Sequence, residues 1–290
     1  MLYLYIIYLS YLHSVRSSYI YNITENIMSL IKSFGGFVKN TRTLLVLAKK
    51  YYTDIKKNEK LQELDELDQI AKIEELIVEN PMSIVINYGE FMCKNNDQIE
   101  DTTFYKIDID DVLISAIQDI WISGDKKTRN LIDSTLNNMI ELYIEFEEQS
   151  EEVRKFNVAD IVADFNRIIK KIGNEMSSLF PTDDVVIRAK KRTSLAIDQF
   201  PTWVINEVGM HLFKYYEQIE RKDVEFFLEN NYDREMAKTV RDNPDTAKLS
   251  EYLVPKIKET WRSLDKNKQT IYYGNVFKLL THYVEFLVVR

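Results

Sequence analysis

The side chains able to do chemistry are few and scattered. His13, His211 and His282 are the three histidines, and none has a Cys, His or carboxylate partner at ligand spacing, so the expectation is no metal site. Asp108-x-Asp110-Asp111 has the carboxylate density of a calcium loop but lacks that loop's glycine and closing glutamate, and helix capping accounts for it better. Gly35-Gly36 is followed by neither Lys-Ser/Thr nor a strand-to-helix context, so it is not a phosphate loop. Cys93 is the only cysteine; it reads as a small buried hydrophobe, and a single thiol forms no intramolecular disulfide. No serine or cysteine nucleophile can be assembled with a base, and the duplicated carboxylates Glu145 and Glu285 are as easily surface residues as catalytic ones. The chain is therefore expected to be non-enzymatic, with no catalytic residues, no metal and no cofactor.

One basic cluster stands apart. Arg167, Lys170, Lys171, Arg188, Lys190, Lys191 and Arg192 flank the loop 173–184 and could converge on phosphate, although such a run is usually a solvated face. A net charge of −8 argues against nucleic-acid binding by the chain as a whole. Any such contact would have to be local.

These residues must be placed by helices. Only 7 Gly and 5 Pro in 290 residues, with 29% charged and 45% hydrophobic residues, leave few turn signals and favour an all-α fold. The helices carry a repeated pattern. Leu113, Ile117, Trp121, Ser123, Asp125, Lys126, Tyr143, Glu145 and Phe146 return as Leu253, Ile257, Trp261, Ser263, Asp265, Lys266, Tyr283, Glu285 and Phe286, each pair 140 residues apart. Upstream, Pro81, Gly89, Lys94 and Gln98-Ile99-Glu100 return 120 residues later as Pro201, Gly209, Lys214 and Gln218-Ile219-Glu220. Growth of the offset from 120 to 140 places most of the insertion within 228–247. The fold class read from this is all-α and internally duplicated, with two similar helical units. Asp125 and Asp265 fall at helix N-caps, and Trp121 and Trp261 at packed helix ends.

Taken in order, 1–27 is a Tyr- and Ile-rich stretch, read as a non-native or anchor extension: its apolar run is too short to span a bilayer and lacks preceding basic residues. Residues 28–60 form a basic amphipathic helix, broken near its start by Gly35-Gly36, with eight Lys/Arg against Asp54 and Glu59. It suits either packing on the body or an anionic membrane surface. Unit 1 spans 61–146, beginning with a helix over 61–79 that ends at Asn80-Pro81; 147–180 connects, with Asn157 as cap and Gly173 as stop; unit 2 spans 181–290.

Gly209, Lys214-Tyr215, Ile219, Asp223, Phe226-Phe227-Leu228 and Trp261 carry a resemblance. The stretch 200–286 resembles a family of all-α proteins without an assigned activity in nucleocytoplasmic large DNA viruses of the mimivirus and marseillevirus groups. In the first unit, Phe104-Tyr105-Lys106 departs from its Phe-Phe-Leu. The resemblance implies a viral source, with the host cytoplasm or virion as location, and transfers no site. What the repeats share is apolar, aromatic and capping residues, so the expected role is structural or adaptor-like, with a protein partner; nucleic acid and a membrane surface, through 1–52, are alternatives. Tyr215, Tyr216, Tyr232, Tyr272 and Tyr273 are candidate interface aromatics, about half of them expected in the core.

Overall fold

The computed structural model describes residues 19–59, 64–100, 102–106, 109–230 and 244–290, with side chains described from Ser29 onward and not over 244–250. Among the described residues the fold is all-α, with no strand. The helices are α1 (Tyr19–Asn58), α2 (Asp65–Glu79), α3 (Pro81–Lys94), α4 (Asn96–Glu100), α5 (Val112–Ser123), α6 (Lys126–Val153), α7 (Val158–Leu179), α8 (Asp184–Gln199), α9 (Pro201–Phe213), α10 (Tyr216–Glu220), α11 (Val224–Glu229), α12 (Pro244–Ser263) and α13 (Lys266–Val289), with a 3-10 turn at Thr103–Lys106 between α4 and α5. They divide into two compact units, one built on 25–151 and the other on 152–290.

In the 25–151 unit the core forms where α1 meets α6. Leu30, Ile31, Phe34, Phe37, Val38, Leu44, Leu45 and Ala48, spaced to share a helix face, are each at most 1% exposed. Phe34 meets Phe146 and Phe37 meets Tyr143, with ring centroids 5.7 and 6.2 Å apart. The basic helix thus spends its apolar face on the protein core. A membrane-lying role would need that same face. The expected break at Gly35-Gly36 is absent; α1 runs through it, and Leu142 packs 3.1 Å from where a Gly36 side chain would begin.

In the 152–290 unit α7 packs against α13, α8 and α9. Ile161, Phe165, Ile169, Ile172 and Met176 line its buried face, and Leu279, Leu280, Tyr283, Val284 and Phe286 are buried on α13. Two expectations are corrected here. The helix taken as a connection is a layer of this unit, and Gly173 does not stop it: α7 continues to Leu179, with Gly173 buried inside it. A glycine ends a helix only where the chain must turn left-handed, and here the apolar period simply continues past it.

The capping residues sit where the pattern puts them. Asn157 accepts from Ala159 N at 2.8 Å, Asp125 from Thr128 N at 2.7 Å, and Asp265 from Lys268 N at 2.8 Å. Asp111 caps α5, accepting from Ile114 N at 2.9 Å, and also receives the Tyr88 hydroxyl at 3.1 Å. Asp108 lies outside the described residues, as do His13, Tyr232 and most of the insertion.

The two units repeat several unusual details. Gly89 lies under the Tyr143 ring and Gly209 under the Tyr283 ring, each so close that an added Cβ would fall 2.0 Å from ring Cδ2. Among the described residues, Thr102 and Lys222, 120 positions apart, are the non-glycine residues with left-handed backbone, at φ 65° and 55°. Each closes its turn with an N–H to carbonyl bond of 3.3 Å, Thr102 to Ile99 and Lys222 to Ile219. Phe104 and Tyr105 pack edge to face at 5.4 Å, as Phe226 and Phe227 do at 5.3 Å.

Candidate docking groove

The residues that could have held chemistry are mostly tied into helix packing. Glu145 accepts from the Ser29 hydroxyl and, at 2.9 Å, from Gln149 Nε2, which also reaches Ser29 Oγ at 2.7 Å. Glu285 is only 5% exposed and sits 2.7 Å from His282 Nδ1. The expectation of a surface glutamate is thus corrected for Glu285, which lies within the core, whereas Glu145 is half-buried. Helical periodicity missed this because Glu285 falls between Tyr283 and Phe286, on a helix buried over most of its circumference. Cys93 is partly exposed, and partial burial followed by the charge of Glu147 pushes its thiol pKa up, away from a reactive thiolate. Among the described residues no group of three His, Cys, Asp or Glu is placed to hold a metal.

The two paired tryptophans differ in environment. Trp261 is 2% exposed and lies 5.8 Å from the Tyr272 ring. Trp121 is half-buried, stacked flat on Tyr105 at 4.1 Å, covered by Arg129, and donating from Nε1 to Asp133 at 2.8 Å. Of the candidate interface tyrosines, Tyr216 and Tyr272 are corrected to core residues at 6% and 0% exposure. Tyr273 is half-buried and donates to the Gln218 and Ile219 carbonyls, while Tyr215 packs on Phe226 and Phe227. Their ring volume is consumed in holding α10 and α11 to α13.

The basic cluster is split over the α7–α8 hairpin and interleaved with acids. Arg167 pairs with Asp164 at 2.5 Å and Lys170 with Asp198 at 2.6 Å, and Arg188 donates to the Asp184 carbonyl. Lys171, Lys190, Lys191 and Arg192 lie on the same hairpin. The hairpin turn is fixed by Asp183, which caps α8 through Val185 N and Val186 N and also receives Lys256 Nζ and the Tyr252 hydroxyl. Burial acts to raise the Asp183 pKa, but these hydrogen bonds and the Lys256 charge outweigh it and hold the carboxyl down at about 2.

Arg167 and Lys170 also border a large groove of this unit. It holds about 800 Å³ and is lined by α7 from its cap Asn157 to Lys170, by Ile197 near the end of α8 and by Pro201 and Thr202 at the start of α9. Phe200 and Trp203, at the mouth of α9, are 59% and 55% exposed. The corresponding place in the other unit differs. Asn80 precedes Pro81 with φ −143° and ψ 69°, and its side chain caps α3 by accepting from Ser83 N at 3.3 Å. Phe200 precedes Pro201 with nearly the same backbone, φ −138° and ψ 59°, but gives α9 no side-chain cap, and Trp203 stands where Ser83 does. Two exposed aromatics therefore occupy positions that in the other unit serve the helix start. Helical spacing does not reveal this surface, although Phe200-Pro-Thr-Trp203 at a helix start without a capping residue is a signal that the sequence carries.

Among the described residues the fold is all-α, and one unit carries a concave surface with two exposed aromatics near its edge. Comparison of the chain with family models, with curated proteins and with solved structures gives no match.

Proposed function

We propose that this chain is a non-enzymatic interaction protein, an adaptor that docks a protein partner on the groove between α7, α8 and α9 and on the adjoining Phe200 and Trp203. The observation that carries the reading is the exchange at the start of α9. A capping side chain contributes about 0.5–2 kcal/mol, and unit 152–290 gives it up for an exposed phenylalanine. Exposed aromatics beside a concave surface are the side chains that most often anchor a protein interface. Retained packing elsewhere supports an internal duplication: the Gly89–Tyr143 and Gly209–Tyr283 contacts and the paired left-handed turns recur while the surface at Asn80 and Phe200 diverges. One unit then has a capped helix start and the other presents the docking surface. The resemblance over 200–286 supports a large DNA virus as source, with the protein acting in the virion or the host cytoplasm.

Photo-crosslinking with benzoylphenylalanine at position 203, against position 83 as control, in cells that make the protein naturally, tests the reading. A discrete protein adduct at 203, absent at 83 and lost in Phe200→Asn, is expected. No adduct at 203, or the same adducts at both positions, would overturn it.

A further inference from the structure

Residues 152–290 carry 23 Lys/Arg against 21 Asp/Glu, while 1–151 carry 15 against 25. The negative charge of the chain therefore lies outside this unit and does not weigh against an anionic ligand on it. Cations collect on the outward face of α8. Arg188, Lys191, Arg192 and Leu195 follow one another at i, i+3, i+4 and i+7 and are all exposed, Leu195 by 55%. Among the described residues neither Lys191 nor Arg192 forms an ion pair, and Arg188 engages through Nε alone, on the Asp184 carbonyl of its own helix at 3.2 Å. Arg167 and Lys170 differ in this respect, since Asp164 and Asp198 already hold them. Where α8 ends, Phe200 is 59% exposed, about 18 Å along the axis from Arg188 at 1.5 Å per residue.

A row of cations ending in an exposed ring suits a ligand that repeats a negative charge and also offers a flat apolar face. Arg188 and Arg192 lie one turn apart, about 6 Å, close to the stride between neighbouring phosphates of an extended strand. A single-stranded nucleic acid gives phosphates to the cations and an unstacked base to Phe200. A duplex keeps its bases stacked and gives the ring nothing. An anionic membrane would have to take in Leu195 and Phe200, and Asp198, exposed between them and paired with Lys170, would go in with them at a desolvation cost. An acidic protein segment meets the cations but has no base for the ring. Asp184, exposed on the same face one turn before Arg188, closes the strip at its other end.

Going beyond the docking reading, we infer that the outward face of α8 binds single-stranded nucleic acid without sequence preference, its phosphates on Arg188, Lys191 and Arg192 and a base on Phe200.

The test is fluorescence anisotropy of a labelled oligothymidylate with the full chain over a range of salt. With three phosphates held, affinity should fall about 100-fold for a tenfold rise in salt, a logarithmic slope of about −0.7 for each phosphate. Lys191→Gln/Arg192→Gln should flatten that slope by about 1.4. Phe200→Ala should weaken binding at least fivefold and leave the slope unchanged. Lys126→Gln/Lys127→Gln, an exposed pair in the 25–151 unit, should change nothing. No binding at low salt, an unchanged slope in the α8 variant, or an equal loss in the control pair would each overturn the inference. So would equal affinity for a duplex, displacement of the strand by polyglutamate at matched charge, or phosphatidylserine vesicles that bind as tightly and are lost in the same variants. The docking reading stands or falls separately, because the crosslink at position 203 does not depend on Lys191 or Arg192.

Discussion

Replacing Gly89 or Gly209 by alanine should destabilise the protein, against the usual rule for a glycine inside a helix. Alanine is favoured there by about 1 kcal/mol, and Gly274 in α13, with nothing within 4 Å of where a side chain would begin, should obey that rule, so Gly274→Ala gains about 0.5–1 kcal/mol. At Gly89 a Cβ would lie 2.0 Å from Tyr143 Cδ2 and 2.5 Å from Cγ and Cε2; at Gly209 it would lie 2.0 Å from Tyr283 Cδ2 and 2.7 Å from its Cβ. Ordinary carbon contacts are about 3.5–4.0 Å, so each ring must retreat by roughly 1.5 Å. The rings are 7% and 2% exposed and have little room to move. Overpacking of this kind costs about 1–3 kcal/mol, and more where the side-chain root itself is in the way, as at Tyr283; after subtracting the helix gain, a net loss of about 1–2 kcal/mol is expected at each site. Urea unfolding followed by circular dichroism, on the two single variants and on Gly89→Ala/Tyr143→Leu and Gly209→Ala/Tyr283→Leu, reads this out. The double variants should lose less than the sum of their singles by about 1 kcal/mol or more. Glycine variants as stable as the parent, or additive pairs, would refute the packing argument, and a loss in only one unit would count against the duplication.

Glu175, with burial pushing its pKa up to about 7 and Lys171 opposing, is favoured by the fold in its neutral form. Its stabilising contribution is therefore complete below the unfolded value of 4.5 and fades as pH rises through about 7, so Glu175→Gln should match the parent at pH 4.5 and exceed it by about 1–2 kcal/mol at pH 8, after allowance for its partial exposure; a pH-independent difference would contradict this. Phe200→Asn should keep or raise stability, by up to about 1 kcal/mol, because a restored α9 cap offsets the part of the ring that is buried, and thermal denaturation checks it alongside the crosslinking result. Lys222→Gly should stabilise by about 1 kcal/mol by relieving a left-handed backbone at φ 55°, measurable in the same urea series. Asp183→Asn keeps a capping side chain but loses the charge paired with Lys256; with the folded pKa near 2, its cost should be present above pH 3.8 and vanish as pH falls toward 2.

What the sequence determined by itself was whatever depends on local spacing. Few glycines and prolines and a continuous apolar period dictate an all-α chain, and Asp125, Asp265, Asn157 and the Asn80-Pro81 boundary mark helix ends because capping involves only residues two or three positions apart. Tertiary structure decided everything that depends on a neighbour from another helix. Period alone cannot say whether the apolar face of α1 meets lipid or α6, that Glu285 lies inside, or that Tyr216 and Tyr272 are consumed by the core while Phe200 and Trp203 stay out. The groove belongs to this second kind: Asn166, Ile197 and Pro201 converge only because α7, α8 and α9 pack together, and burial is a property of that packing rather than of any one helix.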